Sequence, residues 1–349
     1  MMTYNDIRSL HNQPGENVFK SYREEAEFAF RAVQRASRLC DHIQDEMVTD
    51  ALAKSDRSPV TVADFASQAL VGQMIESAFP DDPLVAEEDS AALREPTQAE
   101  RLNAVARFLS TELGEVSNDQ VCNWIDRGMA KPASRFWTLD PIDGTKGFLR
   151  GDQYVTAMAL IVGGEVVVGA LGCPNLNTQV EPDFAGGGCT IAAVRGEGAW
   201  TFDKEMVSGK RLRVSVISDA AHARVLRSFE SGHTDTRKID ALTEQLEVIG
   251  EPVLMDSQAK YALLAAGRGD LLFRLLSPDR SDYKEKIWDQ AAGALIVEEA
   301  GGRITDLYGD RLDFNVGRLL ANNTGVLASN GHLHEKALAA LGAVGVEPE

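Results

Sequence analysis

The chain has 349 residues, 44% of them apolar and 25% charged, the balance of a soluble globular protein long enough to bury a large core. Lys and Arg number 35 against 53 Asp and Glu, a formal net charge of −18. So negative a surface repels phosphate backbones and anionic lipid, which argues against nucleic acid and membrane as partners; a small phosphorylated ligand stays open, because a bound cation reverses the field locally.

The first segment, Met1 to Asp6, is polar and mixed in charge, and no signal peptide is read there. Tyr22, Ala26, Ala29, Val33, Ala36, Cys40, Ile43 and Met47 recur in steps of four and three, which predicts a long amphipathic helix. Ser55 to Pro59 interrupts it, and Thr61-Val62-Ala63-Asp64 has the spacing of a capping box for a second helix running to about Ala78. Phe79 to Pro83 stops that helix, Leu84-Val85-Ala86 is a short strand, and it runs into Glu87-Glu88-Asp89. Residues 90–135 are expected to hold one helix, around Thr97 to Leu113, and then a variable loop.

From Phe136 the pattern is β-rich. Phe136 to Leu139 is a strand, Tyr154–Val162 and Glu165–Leu171 form a hairpin turning at Gly163-Gly164, and Ile191 to Phe202 contains a second turn at Arg195 to Gly198. Further on, a strand near Leu212–Val216, a helix near Ile239–Ile249, a helix over Ser257–Ala266, a strand over Leu271–Leu275 and a helix from Lys284 to Ala300 closed by Gly301-Gly302 are predicted. Hairpins first and β/α alternation later give an α/β (α+β) class with two subdomains, 1–205 and 206–349. No apolar run reaches the roughly 18 residues of a membrane span. Cys40, Cys122, Cys173 and Cys189 are widely spaced, suggest neither a zinc site nor a disulfide framework, and make a reducing cytoplasm the expected compartment.

Chemistry concentrates in Leu139-Asp140-Pro141-Ile142-Asp143-Gly144-Thr145. Two carboxylates and an intervening carbonyl at one strand exit are oxygen ligands for a hard dication, and the N–H groups after Gly144 suit a phosphate oxygen. Glu87, Asp289 and Asp64 each have an ordinary reading alone: a solvated acidic loop, a carboxylate at a helix N-terminus, and a cap. No Cys- or His-centred constellation offers a covalent nucleophile.

Taken together, the motifs resemble those of the inositol monophosphatase superfamily of magnesium-dependent, lithium-sensitive phosphatases, over about Tyr22 to Asn330. The resemblance rests on Ser55-Asp56-x-Ser58-Pro59-Val60-Thr61-x-x-Asp64, Phe79-Pro80-Asp81-Asp82 with Glu87-Glu88, Trp137-x-Leu139 through Gly151, Gly172-Cys173-Pro174-Asn175-Leu176, Asp256-Ser257-Gln258-Ala259-Lys260-Tyr261, Glu285-Lys286-Ile287-Trp288-Asp289, and Glu299-Ala300-Gly301-Gly302. The Lys146–Gly151 extension and the Asp256–Lys260 block are similar to its 3′(2′),5′-bisphosphate nucleotidase branch.

The resemblance implies a layered α-β-α-β-α sandwich and a cytoplasmic monomer. It implies two or three Mg²⁺ ions held by Glu87, Asp140, Asp143, Asp289 and the carbonyl of Ile142, with Asp64 approaching a metal. Asp64 and Thr145 would activate the attacking water, and Gly144, Thr145, His233, Ser257, Lys260, Arg274 and Asp289 would contact the nucleotide. The activity implied is hydrolysis of the 3′-phosphate of adenosine 3′,5′-bisphosphate, with 3′-phosphoadenylyl sulfate as a second substrate, in sulfur metabolism. Inositol monophosphatase or inositol polyphosphate 1-phosphatase activity is the alternative. Two departures stand out: Val62-Ala63-Asp64, where relatives often have Gly before the Asp, and Gln290, where they usually carry His.

Overall fold

The computed structural model describes residues 18–51, 59–203, 209–229, 236–276 and 282–346. The subdomain junction expected near residue 205, the polar start of the chain, the Ser55–Ser58 part of the interruption and His233 lie outside the described residues.

Helix α1 (Arg23–Ala51) buries the predicted stripe, from Ala26 to Met47. Helix α2 (Pro59–Ala78) starts three residues earlier than the capping-box reading, with Thr61 as its cap, places it. A proline suits the first helical position because its φ is preset and its missing N–H would be unpaired there anyway. Thr61 and Asp64 therefore lie within the helix instead of capping it. Strand β1 (Leu84–Ala86) matches its expected bounds. After α3 (Ala99–Leu113), the expected loop instead holds α4 (Asn118–Asp126). Its capping box is made by Ser117 and Gln120, whose side chain accepts from the Ser117 N–H at 3.0 Å.

Strand β2 (Arg135–Asp143) runs through the acidic motif to its second Asp, and α5 (Thr145–Arg150) follows. Then come β3 (Val155–Val162), β4 (Glu165–Cys173), β5 (Cys189–Val194), β6 (Gly198–Phe202) and β7 (Gly209–Arg211). These seven strands form one sheet in sequence order, with β1 parallel to β2 and every other pair antiparallel. Gly163 and Gly164 take φ of 59° and 80° at the β3–β4 turn, the positive pair a two-residue hairpin requires.

The strand predicted over Leu212–Val216 does not form. Leu212 N–H donates to Ala199 in the first sheet and Val214 N–H to Ala300, so this stretch crosses between layers without a partner strand. The second sheet is built from β8 (Val225–Arg227), β9 (Val253–Leu254), β10 (Leu271–Arg274), β11 (Arg303–Thr305) and β12 (Val326–Ser329) in the order β11-β12-β10-β8-β9. Around it lie α6 (Thr236–Gln245), α7 (Ala259–Ala265), α8 (Ala291–Glu299) and α9 (His334–Ala343). Helix α8 begins seven residues later than predicted, because Leu320 N–H donates to Glu285 and Ile287 N–H to Arg318. Those bonds commit residues 285–287 to an extended pairing, which leaves Asp289 in the turn before the helix.

Burial orders the layers. Met158, Leu160, Ala170 and Val194 face α1, whereas Val155, Ala159, Leu171 and Ile191 pack with α7, α8 and the inner side of the second sheet. The outer side of that sheet, with Leu271, Phe273 and Leu327, packs on α6 and α9. The result is an α-β-α-β-α sandwich whose first sheet is covered on both faces, the reason its strands read as near-continuous apolar runs.

Candidate active site

The site forms where β2 leaves the first sheet. The β2–β3 register slips between Asp140, paired with Ala157, and Asp143, paired with Val155, so that Pro141 and Ile142 bulge from the ladder between the two carboxylates. The Pro141 carbonyl is tied to the Thr156 hydroxyl at 2.9 Å. Gly144 takes φ of 94°, and a Cβ there would stand 2.9 Å from the Ser257 Cβ and 3.2 Å from the Gln153 carbonyl. Only glycine allows the turn and the close approach together, so Gly144 and Ser257 meet across 113 positions of sequence.

Six acids act on one another here. Asp140 is the innermost, 3% exposed, and its Oδ1 has no hydrogen-bond partner among the described residues. Burial, and then the charges of Glu87, Asp143, Asp289 and Asp64, hold its carboxyl well above the usual range. Burial raises Asp289 well above that range too, against Arg274 and with Asp143, Glu285 and Glu87 adding to the rise. Asp64 is raised by burial, Glu88 and Glu87, and Glu87 itself by burial and Asp143. Asp143 is also raised by burial, but Lys260, Arg274 and the Gln258 N–H, 2.6 Å from its Oδ2, pull it back. Glu88, not singled out from the sequence, is pushed up to about 7 by burial and the two acids flanking it.

Among the described residues, no three acidic groups already form a coordination shell. The oxygen-only donor set, the unpartnered Asp140 oxygen and the mutual repulsion fit a hard dication, whose charge would remove the penalty of gathering these acids.

A cationic wall faces Asp143. Lys260 is 4% exposed, lowered to about 8 by burial and Arg274, and its Nζ donates to Ser228 Oγ at 2.9 Å. Arg274 Nη2 donates to Glu285 Oε2 at 2.7 Å. Gln290 donates to the same carboxylate at 2.8 Å and accepts from the Tyr261 hydroxyl. This neutral amide bridges Tyr261 to Glu285 without a charge of its own. Ser257, at φ 62°, turns its hydroxyl to the Asp256 carbonyl at 2.6 Å. Thr145 is exposed and its hydroxyl donates to Ile142 O at 3.5 Å; no hydrogen bond joins it to Asp64 among the described residues.

Two residues were missed. Buried Gln258 donates from its backbone to Asp143 and from Nε2 to the Trp288 carbonyl at 3.0 Å, while its Oε1 accepts from Gly293 N–H at 3.0 Å. One side chain thereby joins the Asp143 turn to the Asp289 turn, and nothing in a lone Gln signals that. Arg318 donates to the carbonyls of Ala86 and, at 3.0 Å, Gly128, and its guanidinium lies 4.8 Å from the Trp288 ring centroid. It pins the strand end before Glu87 to the segment before Asp289. Arg318→Leu is expected to lower stability in urea by about 2–3 kcal/mol, the scale of charged hydrogen bonds lost from buried carbonyls. Arg318→Lys should recover little of it, because one ammonium cannot fork to both carbonyls.

Comparison with known proteins adds three findings. The model of the inositol monophosphatase family matches residues 21–345. The chain is 40% identical over 344 residues to a 3′(2′),5′-bisphosphate nucleotidase of Schizosaccharomyces pombe, covering 93% of this chain and 96% of that one. It is 40% identical over 349 residues to the enzyme of the same name from Emericella nidulans, covering 92% and 98%. Its fold is similar to that of an inositol monophosphatase from Anabaena (Nostoc) sp. PCC 7120, with TM-score 0.62, 19% identity and coverage of 93% and 97%.

Proposed function

The chain belongs to the inositol monophosphatase family, and from that premise we propose that it is a metal-dependent 3′(2′),5′-bisphosphate nucleotidase releasing the 3′-phosphate of adenosine 3′,5′-bisphosphate to leave AMP. One arrangement carries the reading. Mutually raised acids stand beside two cations, Lys260 and Arg274, that act on Asp143 from the other side. A substrate with two anionic groups suits both halves at once, the reacting phosphate at the acids and the second at the cations. 3′-Phosphoadenylyl sulfate has the same two ends and is the second candidate substrate.

Glu87, Asp140, Asp143, Asp289 and the Ile142 carbonyl, with Asp64 alongside, would hold two or three Mg²⁺ ions. When bound, the ions supply charge neutralisation for the phosphoryl group and the leaving oxygen. The chain supplies the rest. The attacking water forms its bond to phosphorus in line with the breaking P–O3′ bond, and its proton passes through the Thr145 hydroxyl to Asp64. The departing ribose oxygen takes a proton from solvent. Gly144, Thr145, Ser257, His233 and Asp289 orient the nucleotide, while Lys260 and Arg274 hold its second phosphate.

A cytoplasmic monomer is the expected setting. Among the described residues no helix is long and apolar enough to cross a membrane, and Cys40, Cys122, Cys173 and Cys189 are free and buried.

Phosphate release from adenosine 3′,5′-bisphosphate, inositol 1-phosphate and inositol 1,4-bisphosphate, with and without Mg²⁺, tests the reading. The nucleotide should lead in kcat/KM by at least ~10-fold, only with Mg²⁺, and millimolar Li⁺ should inhibit. Preference for an inositol phosphate would make the chain an inositol phosphatase, and no turnover on any of the three would leave a binding protein.

A further inference from the structure

The Lys146–Gly151 run has no part in the chemistry just described, and beside it stands an exposed aromatic ring. Phe229, two residues past β8, is 53% exposed, and Leu149, next to Arg150, is 49% exposed. Phe229 is nevertheless held in place. Its N–H donates to Asp256 Oδ1 at 3.2 Å, and Arg150 Nη2 donates to Asp256 Oδ2 at 2.5 Å. Asp256 is only 6% exposed, so one buried carboxylate fixes both partners and sets the Arg150 guanidinium 5.9 Å from the Phe229 ring centroid.

This pair adjoins the reaction site on two sides. Ser228, immediately before Phe229, accepts from Lys260 Nζ at 2.9 Å. Gln258, two residues beyond Asp256, donates to Asp143 at 2.6 Å. Two residues reach at most ~7 Å, and the chain turns at Ser257, φ 62°, so two hydrogen bonds and one tight turn link the Phe229 backbone to the Asp143 carboxylate.

We propose that Phe229, steadied beside Arg150, is the platform on which the substrate's base stacks, and that it selects a nucleotide over an inositol phosphate. The inference rests on the nucleotidase reading and adds the group that recognises the base. A purine presents two apolar π faces that an aromatic ring or a guanidinium plane can cover. An inositol ring carries an oxygen on every carbon and gains nothing from such a surface. The exposed ring is thus matched to the half of the substrate that the acids and the two cations leave uncovered.

The test compares kcat/KM for adenosine 3′,5′-bisphosphate and for 1,4-anhydroribitol 3,5-bisphosphate, the same sugar without a base. The wild type should prefer the nucleotide. Phe229→Ala should reduce that preference about tenfold, chiefly through KM of the nucleotide, and Phe229→Tyr should retain it. The ring is exposed, so folding is not at stake, and circular dichroism of each variant checks that. If Phe229→Ala keeps the wild-type preference, the platform is overturned and the nucleotidase reading stands. A wild type that hydrolyses inositol phosphates and not the nucleotide overturns both.

Discussion

Asp143→Asn is expected to cut phosphate release from adenosine 3′,5′-bisphosphate by at least ~10³-fold, the scale of losing a group that acts directly on transition-state charge, while the protein stays folded. The two properties separate because of what surrounds the carboxylate. Burial disfavours its charge even though Lys260, Arg274 and the Gln258 N–H oppose that penalty. The isosteric amide keeps an oxygen to accept the Gln258 N–H and adds no buried charge, so nothing in the packing is lost. Metal-free Asp143→Asn should melt no lower than metal-free wild type. A variant with near-normal turnover would remove Asp143 from the reaction, and one that unfolds would assign it a structural role instead.

Part of the candidate site's geometry was legible because it rests on local pattern. Asp140 and Asp143 sit at the exit of a strand whose apolar run is plain, and Gly144 marks the turn that lets Ser257 approach. The convergence of Glu87, Asp64 and Asp289 was not legible from spacing, since the three come from a strand end, a helix interior and a turn before a helix. Only the resemblance of whole motifs brought them together in advance. The start of α8 was misplaced because residues 285–287 carry a helical pattern, yet their backbone groups are taken by Arg318, Leu319 and Leu320 from a distant stretch. Tertiary pairing overrode local propensity there. Helix α4 is the opposite case: Ser117 and Gln120 spell out a capping box, but they lie in a polar segment whose composition reads as loop. Gln258 and Arg318 were missed because their work lies in long-range hydrogen bonds that neither periodicity nor composition encodes.

The account depends most on the cost of gathering these acids without a cation. Asp64, Asp140 and Asp289 all have carboxyl pKa values raised on folding. The folded state therefore holds protons that the unfolded chain gives up, and stability that is full below the ordinary carboxylate range is lost as pH rises through the raised values. Mg²⁺ binds the deprotonated acids and releases those protons, so its stabilising effect must grow along the same pH interval. The direct measurement is the thermal midpoint of chelator-treated protein from pH 5 to 8, with and without saturating Mg²⁺, and with Asp140→Asn as control. The metal-free midpoint should fall with rising pH, Mg²⁺ should raise it by at least ~5 °C at pH 8 and by much less at pH 5, and Asp140→Asn should flatten the metal-free slope. A midpoint shift on adding Mg²⁺ that is absent, or no larger at pH 8 than at pH 5, would contradict the account.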